Sequence, residues 1–353
     1  MSVPPELRDK TQPEGIDVGP VTAWFQDNVP AVRPPLRFEL IQGGRSNLTY
    51  RVSDADGRAF VLRRPPLGRV LASAHDVGRE HRVISAVGDA GLPVPPALGF
   101  CSDESVNGAP FYVMGFVDGL VLRRDHDAET QLSPAARMTA GEGVVDTLVA
   151  LHAVDPELVG LGDLGRRDGY IERQLRRWLA QWEQGHTREL PLVEEVHRRL
   201  AADVPKPRGA GIVHGDYRLD NLIVSSVGEV LAVLDWELCT LGDPLADLGL
   251  LIVYWGEPGD GFTALESPPT QVPGFPTRRQ VVDRYADRSG RDLSDLDFYV
   301  AFGYWKLACI CEGVYSRFLA GSYGENDEGF ANFGRVVEPL AEAAAVATDR
   351  AGR

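Results

Sequence analysis

Two acids, an amide and a histidine stand close together in the middle of the chain. The segment Ile212–Val224 reads IVHGDYRLDNLIV, and its sequel Val230–Glu237 reads VLAVLDWE. His214, Asp216 and Asn221 fall in the polar interval of the first segment, and Asp235 closes the second. Two carboxylates and an amide oxygen suit a hard, oxygen-seeking cation such as Mg²⁺ and not zinc, for which the ligands are sulfur and imidazole. The apolar runs on either side predict strand, loop, strand, a Gly228-centred turn and strand. This arrangement lets Asp216, Asn221 and Asp235 converge on one point and holds them with little positional slack.

The elements that must position these groups follow from hydrophobic spacing. Val21–Asn28 predicts a short helix stopped before Pro30, behind a leader of about twenty residues that reads as poorly structured or draped. Phe38–Ile41, Leu48–Val52 and Ala59–Arg64 predict strands. Gly43 and Gly44 lie in the loop between the first two, and Asp54–Gly57 in the turn between the others. His75–Ala90 predicts a helix, and Phe111–Gly119 a strand running into a connector. From about residue 121 the pattern turns helical, at Pro134–Val154, Tyr170–Gln184, Leu190–Ala202, Arg278–Arg288 and Leu296–Ala320. A long Pro/Gly-rich loop, Gly256–Pro276, precedes the last two.

Composition bounds the function class. At 353 residues the chain exceeds an average domain, so two lobes are expected. A net charge of −15 argues against nucleic acid or an anionic membrane as partner. It would attract a polycation, although an acidic solvated surface is the simpler reading. No apolar run is long enough to span a bilayer, and the start of the chain carries no secretory h-region. Cys101, Cys239, Cys309 and Cys311 lack metal-ligand spacing, which fits a reducing cytoplasm. No Rossmann glycine fingerprint follows a first strand, so a dehydrogenase is not expected.

The H-G-D-Y-R-L-D-N and L-D-W-E motifs resemble the catalytic segment of the aminoglycoside phosphotransferase family within the protein-kinase-like superfamily. There H-G-D-x-x-x-x-N replaces the H-R-D-x-x-x-x-N loop and an I/L-D-W/F segment replaces D-F-G. Together with V-L-R-R-P-P, R-E-H-R-V-I, F-Y-V-M-G-F-V-D-G and T-L-G-D-P-L-A-D-L, the chain is most similar to the kinase-like domain fused to acyl-CoA dehydrogenases in animals and to its stand-alone bacterial relatives. The resemblance spans roughly residues 35–320. It implies an α+β, bilobal protein-kinase-like fold. A leader and short helix would occupy residues 1–30, and an antiparallel-sheet lobe 31–118 with a hinge at 114–119. A mainly helical lobe would occupy 119–353.

The same resemblance implies site roles. Asp216 would accept the proton of a substrate hydroxyl, while Asn221 and Asp235 hold Mg²⁺ against the phosphates of ATP. Gly43, Gly44, Ser46 and Asn47 would cover those phosphates. Arg63 stands where the family's wider pattern has lysine, a cation still able to grip phosphate oxygens in a bidentate fork. Glu80 would be its orienting partner, the alternative being a surface carboxylate. Arg64, alternating to the other face, is expected in solvent. Met114 would flank the adenine, with Gly115, Phe116 and Val117 offering backbone contacts.

His214, Asp243 and Asp247 are assigned to support: His214 fixes the loop, and the two acids cap a helix and brace the catalytic loop through backbone N–H groups. His152 reads as a packed, hydrogen-bonded residue. Trp255, Tyr304, Trp305, Lys306 and Tyr315 are candidates to wall an acceptor pocket. Lys306, a lone cation on an apolar helix, is either an internal ion pair, the favoured reading, or an anchor for an anionic substrate. The implied activity is transfer of the γ-phosphoryl group of ATP to a small-molecule hydroxyl. A hydroxyacyl-CoA or hydroxy acid ranks ahead of an amino sugar as acceptor, and a catalytically weak nucleotide-binding module is the competing class.

Overall fold

The computed structural model describes residues 13–41, 47–67, 76–264, 266–321 and 330–351. Contacts divide the chain into two compact units. One takes in the residues up to Asp118 together with Leu234–Glu237, and the other Gly119–Val233 and the residues from Leu238 onward.

The first unit is built on five antiparallel strands: β1 (Arg37–Leu40), β2 (Leu48–Ser53), β3 (Ala59–Arg64), β4 (Ala97–Cys101) and β5 (Phe111–Gly115), in the order β1-β2-β3-β5-β4. Strand alternation sends Tyr50, Val52, Phe60, Leu62, Phe111 and Val113 into one core beneath helix α1 (Val18–Asn28), whose Val21 and Phe25 are fully buried. Helix α2 (Val77–Asp89) is capped by the Asp76 carboxylate, which accepts from the Arg79 N–H at 2.9 Å, and packs on β4 and β5. His75, expected in this helix, lies outside the described residues. The short helix α3 (Glu104–Asn107) joins β4 to β5.

Residues 13–17, expected as loose leader, are tied to the sheet. Ile16 joins the core, Tyr50 donates to the Glu14 carbonyl, and the Asp17 N–H donates to Asn107 at 2.9 Å. Arg64 is consequently not in solvent. It is buried and donates to the carbonyls of Gly15, Asn107 and Pro65, because the face to which it alternates is covered by this segment and α3.

The second unit is mostly helical: α4 (Asp125–Gln131), α5 (Pro134–Ala153), α6 (Tyr170–Gly185), α7 (Pro191–Ala202), α8 (Leu245–Tyr254), α9 (Arg278–Ser289), α10 (Leu296–Leu319) and α11 (Ala331–Ala351). Sequence reading did not anticipate α11, which packs on α10 and α7. Two small antiparallel pairs carry the loops. β6 (Gly211–Val213) pairs with β9 (Thr240–Gly242), and β7 (Leu222–Val224) forms a hairpin with β8 (Val230–Val233). Among the described residues no helix is long and apolar enough to cross a membrane.

Candidate active site

The catalytic-loop candidates sit between β6 and β7, and their placement follows from what lies beneath the loop. Gly215 has φ +88, and a Cβ there would lie 2.9 Å from the Leu238 carbonyl oxygen, so only glycine fits between His214 and Asp216. Asp247, in the first turn of α8, is buried. Its Oδ2 accepts from the His214 N–H at 2.7 Å and its Oδ1 from the Gly215 N–H at 2.9 Å. Burial opposes its ionisation, yet His152, His214 and the Gly215 N–H hold its carboxyl below the ordinary value. Asp243 accepts from the Leu245 N–H at 3.0 Å and from the Tyr299 hydroxyl at 2.6 Å, capping the start of α8. His214 is fully buried, and its Nδ1 accepts from the Asp216 N–H at 3.3 Å. His152 bridges the Tyr285 hydroxyl at 2.8 Å and Asp247 at 3.3 Å, both within the core of the unit.

Asp216 itself remains about one-quarter exposed. Asn221 turns its amide nitrogen onto the Asp216 carbonyl at 2.9 Å and the Asp216 Oδ2 at 3.1 Å, which leaves the Asn221 Oδ1 as an acceptor. Two further residues given no role from sequence, Arg218 within the motif and Tyr254 outside it, hold the same carboxylate. Arg218 Nε lies 3.3 Å from Asp216 Oδ2 and 3.0 Å from Asp220 Oδ1. The Tyr254 hydroxyl donates to Asp216 Oδ1 at 3.3 Å while its ring lies beneath the Arg218 guanidinium at 5.1 Å. Burial, with Asp216 nearby, keeps that hydroxyl well above the ordinary tyrosine value and therefore protonated. A tyrosine one residue before Trp255 at the end of α8 was the only signal in the sequence.

Lys306 makes no direct ion pair among the described residues. Its buried Nζ donates to the Gly215 carbonyl at 3.0 Å and lies over the Trp178 ring at 5.7 Å. Burial pulls the ammonium below its ordinary value, while Asp216 and Asp247 act in the other direction. The lysine therefore fastens the catalytic loop at the Gly215 carbonyl, while Asp247 holds the Gly215 N–H. The five pocket candidates are not gathered into one wall. Trp305 is fully buried and donates to the Val193 carbonyl at 2.9 Å, so it is core. Trp255 is also buried and donates to the Pro276 carbonyl at 2.9 Å, beside a small cavity that Arg218, Tyr254 and Thr270 line. Tyr315 stacks on Phe318 under Arg188, and Tyr304 feels Arg278 and Asp260. Successive residues of a helix point about 100° apart, so Tyr304, Trp305 and Lys306 cannot share a face.

In the first unit, Arg63 is the meeting point. Its guanidinium lies 3.2 Å from Glu80, 2.7 Å from Asp235 and 3.6 Å from Glu237. β3 sends it to the face that α2 covers, where Glu80 in the first turn is buried. Burial works against its charge, but Glu80, Tyr112 and Asp235 hold it firmly protonated. Burial pushes the Glu80 carboxyl up to about 7, against the pull of Arg63. Asp235 adopts φ +65, a conformation that aspartate tolerates better than most residues.

Asn47 is buried, and its Oδ1 accepts no hydrogen bond among the described residues. Gly43, Gly44 and Ser46 lie outside the described residues. At the connector, Met114 is buried, the Gly115 N–H donates to Pro96 at 2.9 Å, and the Phe116 N–H to Ala59 at 3.4 Å. Phe116 is partly exposed under Arg51.

Glu80 makes the stability of the first unit depend on pH. The folded unit holds its proton over a range, from about 4.5 to about 7, in which the unfolded chain has released it. The group's stabilising contribution is therefore complete below that range and is lost as pH rises through about 7. Melting temperatures of wild type and Glu80→Gln across this interval are expected to differ in slope, the variant's being flatter. Parallel curves would mean that Glu80 is already ionised at the lower end.

The model of the phosphotransferase enzyme family matches residues 37–295. The chain belongs to the phosphotransferase enzyme family. The chain is 37% identical over 310 residues to acyl-CoA dehydrogenase family member 11 of Gallus gallus, covering 85% of this chain and 39% of that protein. It is 35% identical over 317 residues to acyl-CoA dehydrogenase family member 10 of Mus musculus, covering 88% and 29% respectively. It thus spans between 29% and 39% of the length of these two relatives. Among solved structures, it shares 32% identity and a TM-score of 0.80 with a candidate aminoglycoside phosphotransferase of Ralstonia eutropha, covering 95% of this chain and 98% of that one. The α+β architecture of the chain is therefore the kinase-like one that its motifs imply.

Proposed function

We propose that the chain transfers the γ-phosphoryl group of ATP, with Mg²⁺, to a hydroxyl of a small molecule. The observation that carries this reading is the fixed loop beneath Asp216. Two consecutive backbone N–H groups are taken by Asp247 and the following carbonyl by Lys306, while the Asp216 carboxylate stays accessible. Such a loop presents a base in one orientation. Phosphoryl transfer asks chiefly for positioning and charge neutralisation.

In this reading Asp216 takes the acceptor's proton as the hydroxyl oxygen bonds to the γ-phosphorus and the bond to the bridging oxygen breaks, releasing ADP. Arg63, held by Glu80, grips phosphate oxygens. The Gly115 and Phe116 N–H groups are spent inside the sheet lobe, so an adenine edge would be read by the Val117 N–H and the neighbouring carbonyls. Asn221 Oδ1 and Asp235 supply oxygen donors of the sparse kind that Mg²⁺ uses together with phosphates, and would hold it there. Bound Mg²⁺ supplies neutralisation of phosphate charge.

A hydroxyacyl-CoA or hydroxy acid is the favoured acceptor, supported by the acyl-CoA dehydrogenase names of the relatives. An amino sugar is the second reading, supported by the name of the Ralstonia chain and by the acidic charge of this one. The test is incubation with ATP/Mg²⁺ and a panel of both classes, scored for the mass gain of one phosphoryl group. The expected result is gain on a hydroxyacyl-CoA or hydroxy acid. Stabilisation by ATP/Mg²⁺ with no gain on any acceptor would instead make the chain a nucleotide-binding module.

A further inference from the structure

Acidic residues outnumber basic ones by 51 to 36 in this chain, yet one surface groove is basic. It lies in the second unit, where the turn before α6 meets the first turns of that helix. It has a volume of about 780 Å³, within the range of small-molecule sites. Arg166, Arg167, Arg173 and Arg176 line it, against only Asp168 and Glu172. In the sequence Arg166-Arg167 and Arg176-Arg177 are separate pairs. The fold brings four guanidinium groups to one concavity.

They are not equivalent. Arg167 pairs with Glu157 at 2.6 Å, and Arg173 is folded onto the carbonyls of Arg166 and Asp168, where it shapes the turn. Arg166 and Arg176 are exposed and make no ion pair among the described residues. Two unspent guanidinium groups, backed by two more, are donors that match phosphate oxygens in number and geometry.

The groove is also coupled to the catalytic loop. Gly165 abuts β9 so closely that a Cβ on it would meet Thr240 Oγ1 at 2.4 Å, and Thr240 pairs with Val213, which leads into His214–Asp216. Strand spacing and the reach per residue put this end of the groove within about 20 Å of Asp216. On α6, Trp178 lies beneath the Lys306 ammonium that holds Gly215.

We propose that this arginine groove binds the phosphorylated, nucleotide-like tail of the acceptor, whose hydroxyl-bearing arm extends to Asp216. The acceptor is then a hydroxyacyl thioester of a multiply phosphorylated carrier, not a free sugar. This rests on the phosphotransferase reading above and adds to it a second anchoring point, with Arg166 and Arg176 as specificity-determining residues.

The test uses the full chain, with coenzyme A as probe and Arg166→Glu/Arg176→Glu as the variant, both positions being exposed and outside the catalytic loop. Calorimetric titration is expected to show coenzyme A binding to wild type, more weakly as salt is raised. Binding should weaken at least about tenfold in the variant. Coenzyme A lacking its 3′-phosphate should bind wild type less tightly than intact coenzyme A, and that difference should vanish in the variant. Turnover of a short hydroxy acid with ATP/Mg²⁺ should be unchanged. Equal coenzyme A affinity in the two proteins would overturn the proposal. So would inorganic pyrophosphate competing as well as coenzyme A, which would make the groove a general anion site, or displacement by RNA in preference to coenzyme A. The two readings fail separately. Arginine-dependent coenzyme A binding with no phosphoryl transfer to any acceptor removes the kinase activity and leaves the groove. Transfer to short hydroxy acids with no arginine-dependent binding removes the groove and leaves the kinase.

Discussion

Asp216→Asn is expected to lower phosphoryl-transfer turnover by about 10²–10⁴-fold, the usual range for removing a positioned general base. Asparagine has nearly the same shape, and its Oδ1 can still accept from the Tyr254 hydroxyl that now donates to Asp216 at 3.3 Å. The Arg218 guanidinium keeps Asp220 at 3.0 Å, so it is not left with its charge unpaired. The backbone of the loop is held by Asp247 and Lys306, not by the Asp216 side chain, so ATP affinity and melting temperature should stay close to wild type. The variant therefore separates chemistry from folding. Single-turnover rates with ATP/Mg²⁺ and a phosphorylated acceptor readout decide it. Turnover within about threefold of wild type would remove Asp216 as the base.

How far the site was legible in the sequence depends on the kind of interaction. The strands of the first unit were readable because period-two alternation and Gly/Pro punctuation are local signals, and Ala59–Arg64 falls where the pattern puts it. Arg63 and Glu80 were placed as partners by resemblance, and the structure brings them to 3.2 Å. Arg64 was misplaced for a tertiary reason. Alternation correctly sends it to the other face, but nothing local reveals that residues 13–17 and α3 cover that face and offer the Gly15 and Asn107 carbonyls. Lys306 was hard to read for a similar reason. A lone cation in an apolar helix implies a partner, and sequence searching looks for an acid, whereas the partner is a backbone carbonyl. Tyr254 and Arg218 carry no pattern beyond their residue types, and only assembly of α8 against the loop shows what they hold.

Asp247→Ala is expected to cost roughly 3–5 kcal/mol of stability, as removal of one member of a buried charged network does. The carboxylate accepts from two consecutive N–H groups, and both would be left buried without an acceptor, each costing about 1–3 kcal/mol. His152 would lose the partner of its Nε2 as well. Against a total stability of about 5–15 kcal/mol for a typical domain, this is a large fraction. Asp247→Asn is expected to fall between the variant and wild type. One amide oxygen can still accept, while the amide nitrogen turns a donor toward a donor. Because the carboxyl is held below its ordinary value, its contribution is present above the ordinary carboxylate range and is lost as pH falls through the depressed value, so the wild-type advantage over both variants should shrink in acid. Urea denaturation across pH measures the stability order, and turnover measured under conditions where the variants are folded reads the loop. Lys306 alone would then hold Gly215, so turnover should fall more than ATP affinity does. A stability loss below about 1 kcal/mol with turnover intact would show that the catalytic loop keeps its shape without the acid beneath it.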